Sequence, residues 1–176
     1  MSRTNANFEY NIRRFSTENM DKTRSCIFIG GSGTGKSHAV TSILYHNRDI
    51  QAGVVMSGTE EGDPYWSRHV PDLFIYNGWE PQKLEEMIDI QKRKKKSLEQ
   101  IDINIEYCKK NNRPQDVAIL EAKKKKEEKA MRKFVIIDDC MFQSGISRTE
   151  TLRKLFMNGR HWNIFVMLTI QYCMGL

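Results

Sequence analysis

The chain has 176 residues, 39% hydrophobic and 28% charged, which suits one globular domain with length to spare for an insertion. No stretch approaches the roughly 20 apolar residues of a bilayer-spanning helix, and the opening MSRTNANFEY lacks the apolar segment of a secretory signal. Of the 28 basic and 22 acidic residues, residues 81–133 hold 16 and 10 and the remainder 12 and 12, so the net charge of +6 resides in one internal segment.

Residues 1–24 form a polar lead-in whose Phe8, Tyr10 and Phe15 suit packing on a core. Cys26–Ile29 is a short apolar run entering a glycine-rich turn, the pattern of a buried parallel strand. Helical spacing of Val40, Ile43 and Leu44 predicts a helix from Lys36 to about Asn47, followed by a strand at Gly53–Met56 and a short one at Leu73–Tyr76. Between Pro81 and Lys133, Leu84, Met87, Ile88, Gln91, Leu98, Ile101 and Ile105 keep helical spacing until Asn111, Asn112, Arg113 and Pro114 break it. A second helix from Pro114 or Gln115 to about Arg132 completes an inserted helical hairpin. Phe134–Ile137 reads as a buried strand ending at Asp138 and Asp139, Thr149–Asn158 as a helix ended by Gly159, and Ile164–Ile170 as a buried strand ending at Gln171. Strands alternating with helices predict a single α/β domain over 1–176, with a parallel sheet from 25–80 and 134–176 and helices on both faces. Cys26, Cys108, Cys140 and Cys173 lie far apart without a CxxC pair, which points to free thiols in a reducing compartment.

Gly30, Gly31, Ser32, Gly33, Thr34, Gly35, Lys36 and Ser37 satisfy GxxxxGK[ST] between a predicted strand and helix. Glycines permit backbone angles that turn successive N–H groups into one concavity, and the helix N-terminus favours anions. The pattern predicts an ATP phosphate site in which Lys36 reaches the β- and γ-phosphates, Ser37 ligates Mg2+ and His38 borders the nucleotide. Four apolar residues followed by an acid pair fit the magnesium side of such a site, with Asp138 holding the ion mostly through water and Asp139 activating the attacking water. Gln171 is placed to bind that water or the γ-phosphate, or simply to face solvent. Arg160 is a candidate arginine finger acting on a neighbouring subunit, a role for which Arg148 and Arg153 compete.

The order GGSGTGKS, FVIIDDC and NGRHWNIFVMLTIQY resembles the FtsK/HerA superfamily of DNA-pumping ATPases. Within it the chain is most similar to the genome-packaging ATPases of poxviruses and other large nucleocytoplasmic DNA viruses, in the Asp-Asp-Cys140 run, the Gly159-Arg160-His161 loop and the Pro64–Pro71 region. The resemblance implies a RecA/ASCE-like P-loop NTPase fold and an Mg2+-dependent ATPase. It also implies a homo-oligomeric ring pumping double-stranded DNA into a capsid, in the host cytoplasm or the virion, with capsid or portal proteins as further partners. Such domains continue past the sensor strand, so the chain is expected to end one strand short.

The lysine clusters at 92–96 and 123–126 suit DNA phosphates, a solvated hairpin, or docking on a capsid protein equally. A small-molecule P-loop kinase and a non-hydrolysing ATP-binding scaffold are the alternative functions; a GTPase is disfavoured because NKxD is missing.

Overall fold

The computed structural model describes residues 24–50, 52–140 and 145–171, together with Ser16 and Met20. Phe8, Tyr10, Phe15 and Cys173 lie outside these residues.

Five strands, β1 (Cys26–Ile29), β2 (Gly53–Ser57), β3 (Ile75–Asn77), β4 (Lys133–Asp138) and β5 (Ile164–Ile170), form one all-parallel sheet in the order β1-β5-β4-β2-β3. Successive side chains of a strand face opposite sides of a sheet, and here both sides are covered over β4 and β5. β1, predicted as a buried strand, lies at the edge with Ile27 and Ile29 49% and 55% exposed, because among the described residues only one neighbouring strand flanks it. Val135 and Ile137 of β4, with Ile164, Val166, Leu168 and Ile170 of β5, enter a core with Leu152 and Leu155 of α4 (Glu150–Asn158). Phe134, Ile136, Phe165 and Met167 point the other way, onto Val40 and Ile43 of α1 (Lys36–His46) and onto Trp66. Each side chain so buried contributes about 1.5–3 kcal/mol, which explains why β4 and β5 read as unbroken apolar runs.

The insertion is a hairpin of α2 (Pro81–Lys110) and α3 (Pro114–Met131), each with proline in its first turn. Leu84 and Ile88 of α2 join the sheet core. Buried Gln91 donates its amide to the Met131 and Trp162 carbonyls and so ties the hairpin to the amino ends of the strands. Among the described residues no helix is long and apolar enough to cross a membrane.

One boundary differs from the sequence reading. The 73–76 run divides: Asp72–Phe74 is a 3-10 turn with Leu73 78% exposed, and the strand occupies Ile75–Asn77. A run of apolar letters signals a strand only where the sheet covers it. Gly159 ends α4 as the sequence predicts, with φ −52°; a 3-10 turn follows through Trp162, and Asn163, at φ 54°, makes the reversal into β5. A Cβ at Gly159 would come within 3.3 Å of the Ile164 carbonyl, so the packing there favours glycine.

Candidate functional site

In a parallel sheet all strands end at the same rim, and this is where ligands of open α/β sheets collect. Here β1 runs into the glycine turn, β4 into the acid pair and β5 into Gln171. Register places Asp138 opposite both Thr169 and Ser57, and Ile29 opposite Ile170. The glycine turn and the acid pair therefore share a rim, separated by the single strand β5.

The turn is shaped by its own residues. Gly33 and Gly35 hold φ of 74° and 84°, a region open chiefly to glycine. Thr34 closes the loop by donating its hydroxyl to the Gly31 carbonyl at 2.8 Å. Gly35 caps α1, whose first turn carries no acid and whose N-terminus receives no side-chain cap. That end thus presents unpaired N–H groups and positive potential toward the rim. The Lys36 ammonium folds over the turn and donates to the Gly30 and Gly31 carbonyls, each at 2.8 Å.

Opposite it, Asp138 is 6% exposed. Its Oδ2 accepts the Trp66 indole N–H at 2.8 Å, and its Oδ1 accepts the Thr169 hydroxyl. The Ser37 hydroxyl stands 3.4 Å from both carboxylate oxygens. Thr169 also accepts the Asp139 backbone N–H at 3.1 Å, so one hydroxyl braces both acids. Asp139 sits at φ 50°, an unusual angle for a residue with a Cβ, and its Oδ2 accepts the Gln171 amide. Cys140 is fully buried and donates its thiol to the Met56 and Asp138 carbonyls. Burial, reinforced by the Asp138 and Asp139 charges, pushes its pKa up to about 12, so it stays a neutral thiol.

These groups line one cleft of about 490 Å3. Of the sequence candidates, Ser32, Gly33, Gly35, Lys36, Ser37, His38, Asp138, Asp139 and Gln171 face it. Gly30, Gly31 and Thr34 act behind it, as partners of Lys36 and of the turn. Arg160 is elsewhere. It is exposed, donates to the neighbouring His161 ring, and precedes β5 at the opposite rim, about 20 Å away along a strand of 7 residues. Thr59, Asp63 and Tyr65 also line the cleft and were not nominated by the sequence. Thr169 left a signal, as the polar member of an apolar strand; Asp63 and Thr59 left none, because they belong to a loop without a periodic pattern. A more apolar hollow of about 310 Å3 beside α1 contains none of the nominated residues.

No protein-family model and no solved structure matches the chain. It is 32% identical to an uncharacterized protein of frog virus 3 over 85% of this chain and 38% of that one. It is 27% identical to an uncharacterized protein of Acanthamoeba polyphaga mimivirus, over 96% and 52% respectively. An uncharacterized protein of invertebrate iridescent virus 6 is 30% identical over 83% and 46%. The chain thus spans about half, or less, of the length of these viral relatives.

Proposed function

We propose that the cleft binds Mg2+–ATP and hydrolyses it, and that the chain is the P-loop ATPase part of an FtsK/HerA-type motor that packages viral double-stranded DNA. The observation that carries this reading is the approach of the Ser37 hydroxyl to Asp138, 3.4 Å apart and 101 residues apart in sequence. A chance glycine turn and a chance acidic strand end have no reason to meet there. The viral relatives support the setting, the host cytoplasm or the virion.

The residues fit a nucleotide-bound Mg2+. Among the described residues no three His, Cys, Asp or Glu form a metal cluster of their own. Mg2+ at a nucleotide needs none, because it takes one or two protein oxygens and completes its shell with phosphates and water. Ser37 and Asp138 supply such oxygens. The ion would neutralise charge building on the β- and γ-phosphates.

The chain's own groups do the rest. The glycine turn and the α1 N-terminus hold the phosphates, and Lys36 exchanges its turn carbonyls for phosphate oxygens. Asp139, held by Gln171, orients the water and accepts its proton as the water oxygen bonds to the γ-phosphorus and the bond to ADP breaks. Arg160 cannot reach its own cleft, and its exposure suits a finger presented to a neighbour in a ring.

The purified protein should bind ATP in Mg2+ and turn it over at a specific rate that rises with protein concentration and with double-stranded DNA. Mixing Lys36→Ala with Arg160→Ala subunits should recover part of the activity that each lacks alone. A rate indifferent to dilution and DNA removes the ring motor, and transfer of phosphate to a nucleoside acceptor in place of water would make the enzyme a kinase.

A further inference from the structure

The loop after β2 contributes no residue to the glycine motif or the acid pair, yet it touches Asp138 directly and reaches Ser37 through Thr41. Glu60 is buried, 8% exposed, and its carboxylate accepts three successive backbone N–H groups: Tyr65 at 3.2 Å, Trp66 at 2.9 Å and Ser67 at 2.9 Å. These amides open the 3-10 turn Trp66–Arg68 and would otherwise be unpaired at its start.

The turn so held has two outputs. Trp66 is fully buried among Val40, Ile43, Val55 and Ile136, and its indole N–H reaches Asp138. A Phe, Leu or Ile would fill that space, but none of them carries a donor to the carboxylate, as the Trp66 indole does. Tyr65 reaches the other side of the cleft. Its hydroxyl hydrogen-bonds the Thr41 hydroxyl at 2.9 Å, and Thr41 donates to the Ser37 carbonyl at 2.9 Å.

We propose that Glu60, Tyr65 and Trp66 form a brace that sets the spacing between Ser37 and Asp138, and so the affinity of the nucleotide site for its divalent cation. They are positioning residues: none supplies an oxygen to the ion; Trp66 acts directly on Asp138, Glu60 through the turn that carries Trp66, and Tyr65 through Thr41 on Ser37. The inference rests on the Mg2+–ATP reading above. Partners behind metal ligands change cation affinity by about 10–100-fold when removed. Trp66 stands in that relation to Asp138, and Glu60 acts one step further back, through the backbone of the turn that carries Trp66.

The test measures binding of a fluorescent ATP analogue against Mg2+ concentration, and in EDTA, for the wild type, Trp66→Phe, Glu60→Gln and Tyr65→Phe. Thermal melts in EDTA identify which variants are folded. Half-saturating Mg2+ should rise about tenfold in Trp66→Phe and less in Glu60→Gln and Tyr65→Phe, with analogue affinity in EDTA within about twofold of wild type. A purely packing role predicts lower melting temperatures with unchanged Mg2+ dependence, and that result in the folded variants overturns the brace while leaving the ATPase reading intact. Should Trp66→Phe not fold, Glu60→Gln and Tyr65→Phe carry the comparison. A wild type that binds no analogue at any Mg2+ concentration overturns the ATPase reading, and the role of the brace with it.

Discussion

The carboxyl rim of the sheet and the helical hairpin both concentrate polar residues, but they use charge differently. At the rim the acids that are held by fixed donors are few and buried or half-buried. Asp138 and Glu60 are buried, and each accepts hydrogen bonds from fixed donors on other elements or on the backbone. Along the hairpin the charges are many and largely exposed, and much of the basic run is matched locally. Lys83 pairs with Glu86, Lys92 with Asp89, Lys109 with Glu121, and Lys124 with both Asp102 and Glu128. Exposed pairs of this kind hold little energy and exchange readily with other anions. Charge density therefore says little about where chemistry occurs; enclosure and orientation say more.

The largest effect should come from the rim. Asp139→Asn keeps a residue type that tolerates positive φ, so the fold and ATP binding should survive. Turnover should fall by about 10²–10⁴-fold, the loss expected for a general base. Undiminished turnover would move the base to another group, and Asp63, which also lines the cleft, is then the first to test.

Cys140 gives the rim a pH signature. Below pH 9 its thiol is protonated in both folded and unfolded chains. Between 9.0 and about 12 only the folded chain retains the proton. Its contribution to stability is thus fully present below 9 and is lost as pH rises toward 12, by about 1.4 kcal/mol per pH unit. In denaturant titrations, the stability difference between wild type and Cys140→Ala should shrink across that window. A difference that does not move with pH would mean the thiol is not held as described.

The hairpin should respond more weakly. Replacing Lys94, Lys95, Lys125 and Lys126 by glutamine should change unfolding free energy by no more than about 0.5 kcal/mol per substitution. Affinity for double-stranded DNA should fall, and the slope of log affinity against log salt should drop by about one per phosphate contact removed. An unchanged slope would assign the DNA grip elsewhere and leave the hairpin a solvated arm. Smallest of all is the inter-helix pair Lys124–Asp102, whose coupling in a double-mutant cycle should be weak and should vanish at high salt.

The elements most legible in the sequence are those whose environment is uniform. Ile164–Ile170 is recovered residue for residue because a strand covered on both faces must be apolar throughout. The hairpin turn at 111–113 is legible because proline can start a helix but not continue one. The 73–76 segment was misplaced because apolar letters do not disclose that Leu73 points to solvent.

By itself the sequence determined the alternation of strands and helices, the glycine turn and the acid pair, since each depends on local backbone demands or on burial repeated along a few residues. Only the tertiary structure decided that Ser37 meets Asp138, that Arg160 lies at the far rim, and that Trp66, which reads as ordinary core, delivers its N–H to a carboxylate. The reason is physical: strand order and register are set by the packing of the whole sheet, and no short window of sequence contains them.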